Sequence, residues 1–274
     1  MIDRRTLLSF LAASVFFGGT FVGAKAGLEY FPPLLFVALR FDVAAVALAG
    51  YVVLTRSRAE LVPRTRADVV GIVATGLLAI GLTNSLLFVG QQYVTSGVAA
   101  IIASLNPVLT PVFAALLLSD ERLSARGVAG MLLALAGVVL VASPDPSNLL
   151  AGDIVGKVVL FAGATSGALG AVMIRWADAD LSSTVRTAWG LPLGALLAHA
   201  LSRGAGESAA DIAWTPEGVA ALAFVALYGY SRDRHLRIGV AGGDPIRVPL
   251  RRGEPADVAR LEVAVEKASN PSAG

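Results

Sequence analysis

Val69 to Gly90 reads VVGIVATGLLAIGLTNSLLFVG, 22 residues without a charge. As an α-helix rising 1.5 Å per residue it covers about 33 Å, enough to cross the roughly 30 Å of hydrocarbon in a bilayer. Similar apolar runs lie outward from it on both sides, at approximately 7–28, 34–54, 98–118, 127–142, 154–174 and 185–202. The run at 127–142 is short, but Arg126 and Asp145 bound it. Glu217 to Tyr230 is apolar for only 14 residues, about 21 Å of helix, and stops too soon to cross alone. The whole chain agrees: of its 274 residues 55% are hydrophobic and 15% charged, with mean hydropathy +0.71, whereas soluble domains average about 25% charged. The expected fold is all-α, a polytopic membrane helix bundle of about seven spans plus a partial eighth.

Composition also removes several kinds of chemistry. There is no cysteine, hence no disulfide, thiolate metal site or cysteine nucleophile, and the two histidines, His199 and His235, are too few for a histidine metal cluster or triad. The glycines form no phosphate-binding loop, because no Gly-x-x-x-x-Gly-Lys-Ser/Thr pattern follows a strand. No catalytic residues, metal ligands or cofactor are expected, and the chain reads as something other than an enzyme. The expected partners are a small-molecule solute and the lipid bilayer, with a homodimer as a further option and no nucleic acid.

Short connections make the spans alternate in direction, so the Lys/Arg bias can orient them. With the N-terminus in the cytoplasm, the inner side receives Arg4, Arg5, Arg56, Arg58, Arg64, Arg66, Arg122, Arg126, Arg175 and Arg186, while the outer side receives Lys25, Lys157 and Arg203. Ten against three favours this orientation in a plasma membrane, and the acidic stretches near Asp145/Asp153 and Glu207/Asp211 then fall outside. Asp3-Arg4-Arg5-Thr6 before an apolar run, with Ala24-Lys25-Ala26 after it, also imitates a cleaved export signal. Six further spans follow, which disfavours that reading.

Laying residues 19–54 over 169–204, an offset of 150, aligns two Gly/Ala-rich spans that end in Lys25 and Arg175 and are each followed by a short loop and another span. Five spans separate the two starts. Five is odd, so the second copy enters from the opposite side, the inverted-repeat arrangement that carriers use to place a solute site between two halves. The division expected is 1–150 as a first five-helix repeat, 151–230 as an incomplete second repeat, and 231–274 as a polar tail. Extending the offset should repeat the third span at 219–240. It begins with Val219-Ala220-Ala221-Leu222 and breaks at Ser231-Arg232-Asp233-Arg234-His235, where the charge density rises to 14 in 44 residues. A solvated tail with a short helix at 257–268 is one reading. An interrupted reading frame is preferred, because the change falls within a span instead of in a loop.

Two blocks of the chain resemble a known family. Phe21-Val22-Gly23-Ala24-Lys25-Ala26-Gly27-Leu28-Glu29 with Phe31-Pro32-Pro33-Leu34, and Gly97-Val98-Ala99-Ala100-Ile101-Ile102-Ala103-Ser104-Leu105-Asn106-Pro107-Val108 followed by Asp120-Glu121-Arg122-Leu123, are similar to the EamA-type drug/metabolite transporters. The resemblance implies ten spans in two inverted five-helix repeats, of which this sequence lacks the last two and half of the eighth. It also implies a secondary transporter that exports small metabolites or drugs, with a truncated, non-transporting membrane fragment as the alternative.

Polar groups inside spans are the candidates for that work. Arg40 and Asp42 both lie in the second span, but residues two apart point about 200° apart on a helix, so they face different neighbours. Arg40 is suited to an anionic or carboxylate group, or to a structural bond with carbonyls. Asp42 is suited to a proton, or to a partner on another helix. Lys25 and Glu29 are spaced for an ion pair on one helical face. Asn84, with Gln91, Gln92 and Tyr93, offers uncharged hydrogen bonds to a solute or to a neighbouring helix. Asn106-Pro107 and Pro111 should bend the fourth span and free carbonyls, which are tolerated only against protein or a wet cavity. Trp189 and Pro192 can line the same region, or Trp189 can sit at the interface. The substrate-binding set expected is therefore Arg40, Asn84, Asn106, Pro107 and Trp189. Gly130, Gly137, Gly163, Gly167 and Gly170 are expected to serve close helix packing.

Overall fold

In the computed structural model the residues described are 18–118, 123–142, 152–228, 236–238 and 246–248. The first half of the first span, the Asp120-Glu121-Arg122 motif and the suggested helix at 257–268 lie outside the described residues. Residues 18–27 form α1. The helix α2, Pro33–Thr55, opens with proline in its first turn, where the missing N–H costs nothing. A short surface turn, α3, covers Arg58–Leu61. The stretch quoted first lies within a single rod, Arg66–Gln91, built of three pieces: α4 (Arg66–Val73), a π-helix (Ala74–Leu82) and α5 (Thr83–Gln91). Thr65 and Asp68 close its start as a reciprocal capping box.

The fourth span is α6 (Ser96–Ala103) and α7 (Asn106–Leu117), followed by α8 (Ala125–Ala142), α9 (Gly152–Ala177), α10 (Ser183–Gly204) and α11 (Pro216–Tyr228). The proline bend expected at Asn106-Pro107 is a full break. Ser104 and Leu105 adopt tightened helical turns, and α7 restarts at Asn106 with Pro107 in its first turn. Pro107 has no N–H for the Ala103 carbonyl and its ring crowds that carbonyl, so restarting the helix removes both conflicts.

Among the described residues, Pro33–Thr55, Arg66–Gln91, Ser96–Leu117 and Ile154–Ala177 are long and apolar enough to cross a membrane, and Ala125–Val138 and Pro216–Ala226 are shorter apolar helices. The molecule is a polytopic membrane helix bundle. Its surface carries exposed Val46, Leu54, Leu132, Leu133 and Leu140, as lipid contact requires. Helix boundaries recur at the offset read from the sequence. The final residue of α1 is 27 and that of α9 is 177; α2 and α10 begin at Pro33 and Ser183; α4 and α11 begin at Arg66 and Pro216, each pair 150 apart.

Helix direction follows from contacts at the two ends. The start of α2 meets the end of α10, where Leu34 and Leu35 N–H donate to Glu207, while Trp189 near the start of α10 donates to Leu61 beyond the end of α2. Thus α2 and α10 run antiparallel. The rod ends beside Lys25, and Asp68 near its start accepts from Leu181 N–H. One end of the bundle therefore holds Lys25, Gln91 and Glu207, and the other holds Leu61, Asp68 and Leu181.

Glycine makes the interior contacts. A Cβ on Gly76 would lie 2.6 Å from the Gly190 carbonyl, and one on Gly170 would lie 2.7 Å from Ala79 N, so α10 and α9 touch the rod backbone to backbone. Gly163 serves α9 in the same way, whereas Gly167 makes room for the Asn106 side chain. Gly130 and Gly137 do not: nothing lies within 4 Å of a Cβ at either, because the face of α8 that carries them is open.

The chain divides into two units, Met1–Ser231 and Arg232–Gly274. In the second, Leu236–Ile238 pairs antiparallel with Ile246–Val248. Among the described residues this ribbon is a local addition to an all-α fold. Its two Leu/Ile-Arg-Ile/Val triplets alternate as strands do.

Candidate solute site

The π-helix sets the geometry of the site. At its end, side chains join the backbone in donating to its carbonyls: Thr83 Oγ1 and Ser166 Oγ both donate to Leu78 O, at 2.7 and 3.0 Å, and Asn84 Nδ2 donates to Ile80 O at 2.7 Å, while both carbonyls also accept from Thr83 N–H. One amide hydrogen is so engaged, and the amide oxygen faces α2. That oxygen accepts from Arg40 Nη2 at 2.9 Å, joining the rod to α2.

Around this bond lies an aromatic wall. The Arg40 guanidinium carbon lies 4.8 Å from the Phe41 ring centroid and 5.1 Å from that of Phe88, and Phe88 meets Phe36 edge to face at 5.3 Å. Each helix presents the arrangement through four-residue spacing, Phe36 with Arg40 on α2 and Asn84 with Phe88 on α5. Polar capacity is left over here. Arg40 Nη1 is buried without a hydrogen-bond partner, as are Ser85 Oγ, next to Asn84, and both amide atoms of Gln91, seven residues further along the same helix. A buried donor left unmade is costly, so these atoms are a standing invitation to a polar ligand.

Arg40 and Asp42 diverge as the 200° argument requires. Arg40 turns to α5, whereas Asp42 turns to α10 and meets His199 Nε2 at 2.9 Å. The partner helix of Asp42 was not legible, since only packing brings residues 157 apart together. Asn106 lies against the bare backbone of α9 at Gly167, near Thr83, and Pro107 beside it begins α7. Trp189 is elsewhere, half exposed at the opposite end, with its indole N–H 2.8 Å from Leu61 O. The structure thus joins Arg40 to Asn84 directly, places Asn106 and Pro107 one helix away across the rod, and separates Trp189 from all of them.

Lys25 does not turn to Glu29. Helix α1 ends at residue 27, and the ammonium group instead donates to Gln91 O at 2.5 Å and Gln92 O at 3.4 Å, closing the end of α5. Beside it an open cavity of about 370 Å³ is lined by Lys25, Gln92, Tyr93, Val98 and Lys157 among others. The residues missed by sequence reasoning are Ser85 and the aromatic pair Phe36 and Phe88. Recurrent four-residue spacing of an aromatic with Arg or Asn was the available signal.

Comparison with known proteins agrees with this architecture. Over 188 residues, 68% of this chain and 61% of the relative, the sequence is 29% identical to the uncharacterized transporter YyaM of Bacillus subtilis. It is 28% identical over 222 residues to the uncharacterized transporter YvbV of the same organism, covering 81% of this chain and 70% of the relative. Against the uncharacterized inner membrane transporter YedA of Escherichia coli K12 it is 28% identical over 163 residues, 59% of this chain and 50% of the relative. The chain therefore spans about half to three fifths of the length of YedA and YyaM. Residues 4–143 match the family model described as EamA-like transporter family, and this integral membrane protein belongs to that family.

Proposed function

We propose that the chain is a secondary carrier that exports small metabolites or drugs across the plasma membrane, with its N-terminus in the cytoplasm. The solute presents an anionic or hydrogen-bond-accepting group to Arg40, and Asn84 holds the guanidinium in place. One observation carries this reading: a guanidinium inside a membrane span with one nitrogen bound to Asn84 and the other buried and unpartnered. Aromatic faces around it suit the amphipathic remainder of such a solute. The orientation is supported by the clustering of Arg56, Arg58, Arg64 and Arg66 around the Leu61–Asp68 end, with Lys25 at the other. With no nucleotide-binding loop in the sequence, uphill movement draws on an ion gradient or on exchange.

The test is uptake of radiolabelled carboxylates, an amino acid, a hydroxy acid and an aromatic acid, into liposomes reconstituted with the full chain. A hydrogen bond to a charged group is worth about 1.5–3 kcal/mol, so Arg40→Ala should lower transport of a moved probe by about 10- to 150-fold while leaving membrane insertion intact. Unchanged uptake kinetics in that variant would remove Arg40 from the site. A second reading, a non-transporting membrane fragment, is favoured by the sequence: the apolar run that begins at Pro216 gives way to Ser231-Arg232-Asp233-Arg234-His235, where the first half stays uncharged through Gln91. Liposomes of the unaltered chain that move no probe would support it.

A further inference from the structure

We propose that Asp42 and His199 form the proton site through which a proton gradient drives this carrier, a proposal that rests on the transport reading above. Asp42 Oδ2 and His199 Nε2 stand 2.9 Å apart, one on α2 and the other on α10. Asp42 lies nine residues past Pro33, about 13 Å into its helix, and His199 lies five residues before Gly204, about 8 Å in from the same end of the bundle. Ionisable groups at such depth are costly and persist where they work.

Three observations favour a proton over a mere tie between helices. First, imidazole is the side chain whose ordinary protonation range lies near neutral pH, and a carboxylate within hydrogen-bond distance lets the pair pass between a net charge of −1 and a neutral ion pair by taking up one proton. Second, the side chains keep 47% and 37% of their exposure, so the pair is open on one side while Arg40 is closed against α5. Third, the pair breaks the repeat. The positions 150 away from Asp42 and His199 are Pro192 and Ala49, so it is no shared structural device of the two halves.

Apart from Arg203, the charges on α2, α11, the π-helix and α5 are engaged elsewhere or absent. Arg40, on the same helix, is turned to Asn84; Glu207 is engaged with the first turn of α2; Glu217 stands at the start of α11; and the π-helix and α5 carry no charged residue. Arg203, one turn beyond His199 on α10, is the cation nearest in sequence and lies on the same face. Protonation converts the bond between a neutral imidazole and a carboxylate into an ion pair that draws α2 and α10 together, and loss of the proton relaxes it. Because α2 and α10 belong to opposite halves, proton occupancy biases how the halves meet.

The experiment has two arms. The full chain carrying His235→Gln, with His199 as its sole histidine and labelled with ¹⁵N in the ring, is titrated in liposomes by solid-state NMR. The ring ¹⁵N signal of His199 is expected to change when Asp42→Asn removes its carboxylate partner, and to recover in Asp42→Glu. A titration identical with and without Asp42 overturns the proposal. In the second arm the carboxylate probes are offered under a pH gradient imposed in each sense. Accumulation driven by the gradient should fall at least about tenfold in His199→Gln and in Asp42→Asn and persist in Arg203→Gln. Probe movement that ignores the gradient, or accumulation retained in both pair variants, overturns this proposal alone. If the unaltered chain moves no probe, the carrier reading fails and takes this one with it.

Discussion

Arg40 and Glu207 show how single side chains hold this bundle together. Glu207 follows α10, yet its carboxylate accepts from Leu34 N–H at 3.1 Å and Leu35 N–H at 2.7 Å, with Ser202 Oγ donating at 2.9 Å. Pro32 precedes α2 and its side chain cannot cap, so a carboxylate more than 170 residues away satisfies the first turn and meets the positive end of the helix dipole. Removing such a cap costs about 1–2 kcal/mol. Glu207→Ala should therefore lower the midpoint of thermal unfolding in detergent, and Glu207→Gln, which keeps one acceptor, should lower it less. An equal fall in both would mean that the negative charge, rather than the hydrogen bonds, does the holding.

At the scale of elements the rod Arg66–Gln91 is the one that decides the site. Its composition announces a span, but not the π-helix at Ala74–Leu82, whose Leu78 and Ile80 carbonyls accept from hydroxyl and amide side chains as well as from Thr83 N–H. The same segment touches α10 through bare backbone. Gly76→Ala places a methyl 2.6 Å from the Gly190 carbonyl and 2.8 Å from Leu193 Cβ, neither of which is a loose side-chain end. Overpacking of this kind costs about 1–3 kcal/mol, and thermal unfolding in detergent should show it. Gly130→Ala, which meets nothing within 4 Å, should stay within about 0.5 kcal/mol of the parent. Comparable losses in the two variants would mean that glycine serves helix flexibility here instead of contact.

For the whole molecule, the prediction concerns which side each end faces. The chain contains no cysteine, so Ser57→Cys and Ser208→Cys each create a single labelling site, one at the Leu61 end and one at the Glu207 end. An impermeant maleimide applied to intact cells should label Ser208→Cys and spare Ser57→Cys until the membrane is opened. Labelling of both from one side would exclude opposite exposure of the two ends. Cysteine at Leu250, tested in the same way, reports whether α11 crosses. Deletion of 232–274 should leave insertion and the Ser208 labelling unchanged, since those residues form a separate unit.

The apolar runs, their lengths and the offset of 150 were readable without coordinates, because a helix in hydrocarbon must satisfy its backbone internally and declares itself by length and lack of charge. So was the divergence of Arg40 from Asp42, which helical periodicity alone requires. Tertiary packing decided the partners: Asn84 for Arg40, His199 for Asp42, the far interface for Trp189, and the backbone of α9 for Asn106. The physical reason is that helical period orients a residue on its own helix, whereas its neighbour depends on which glycine faces allow two backbones to meet, and that is a property of pairs of helices.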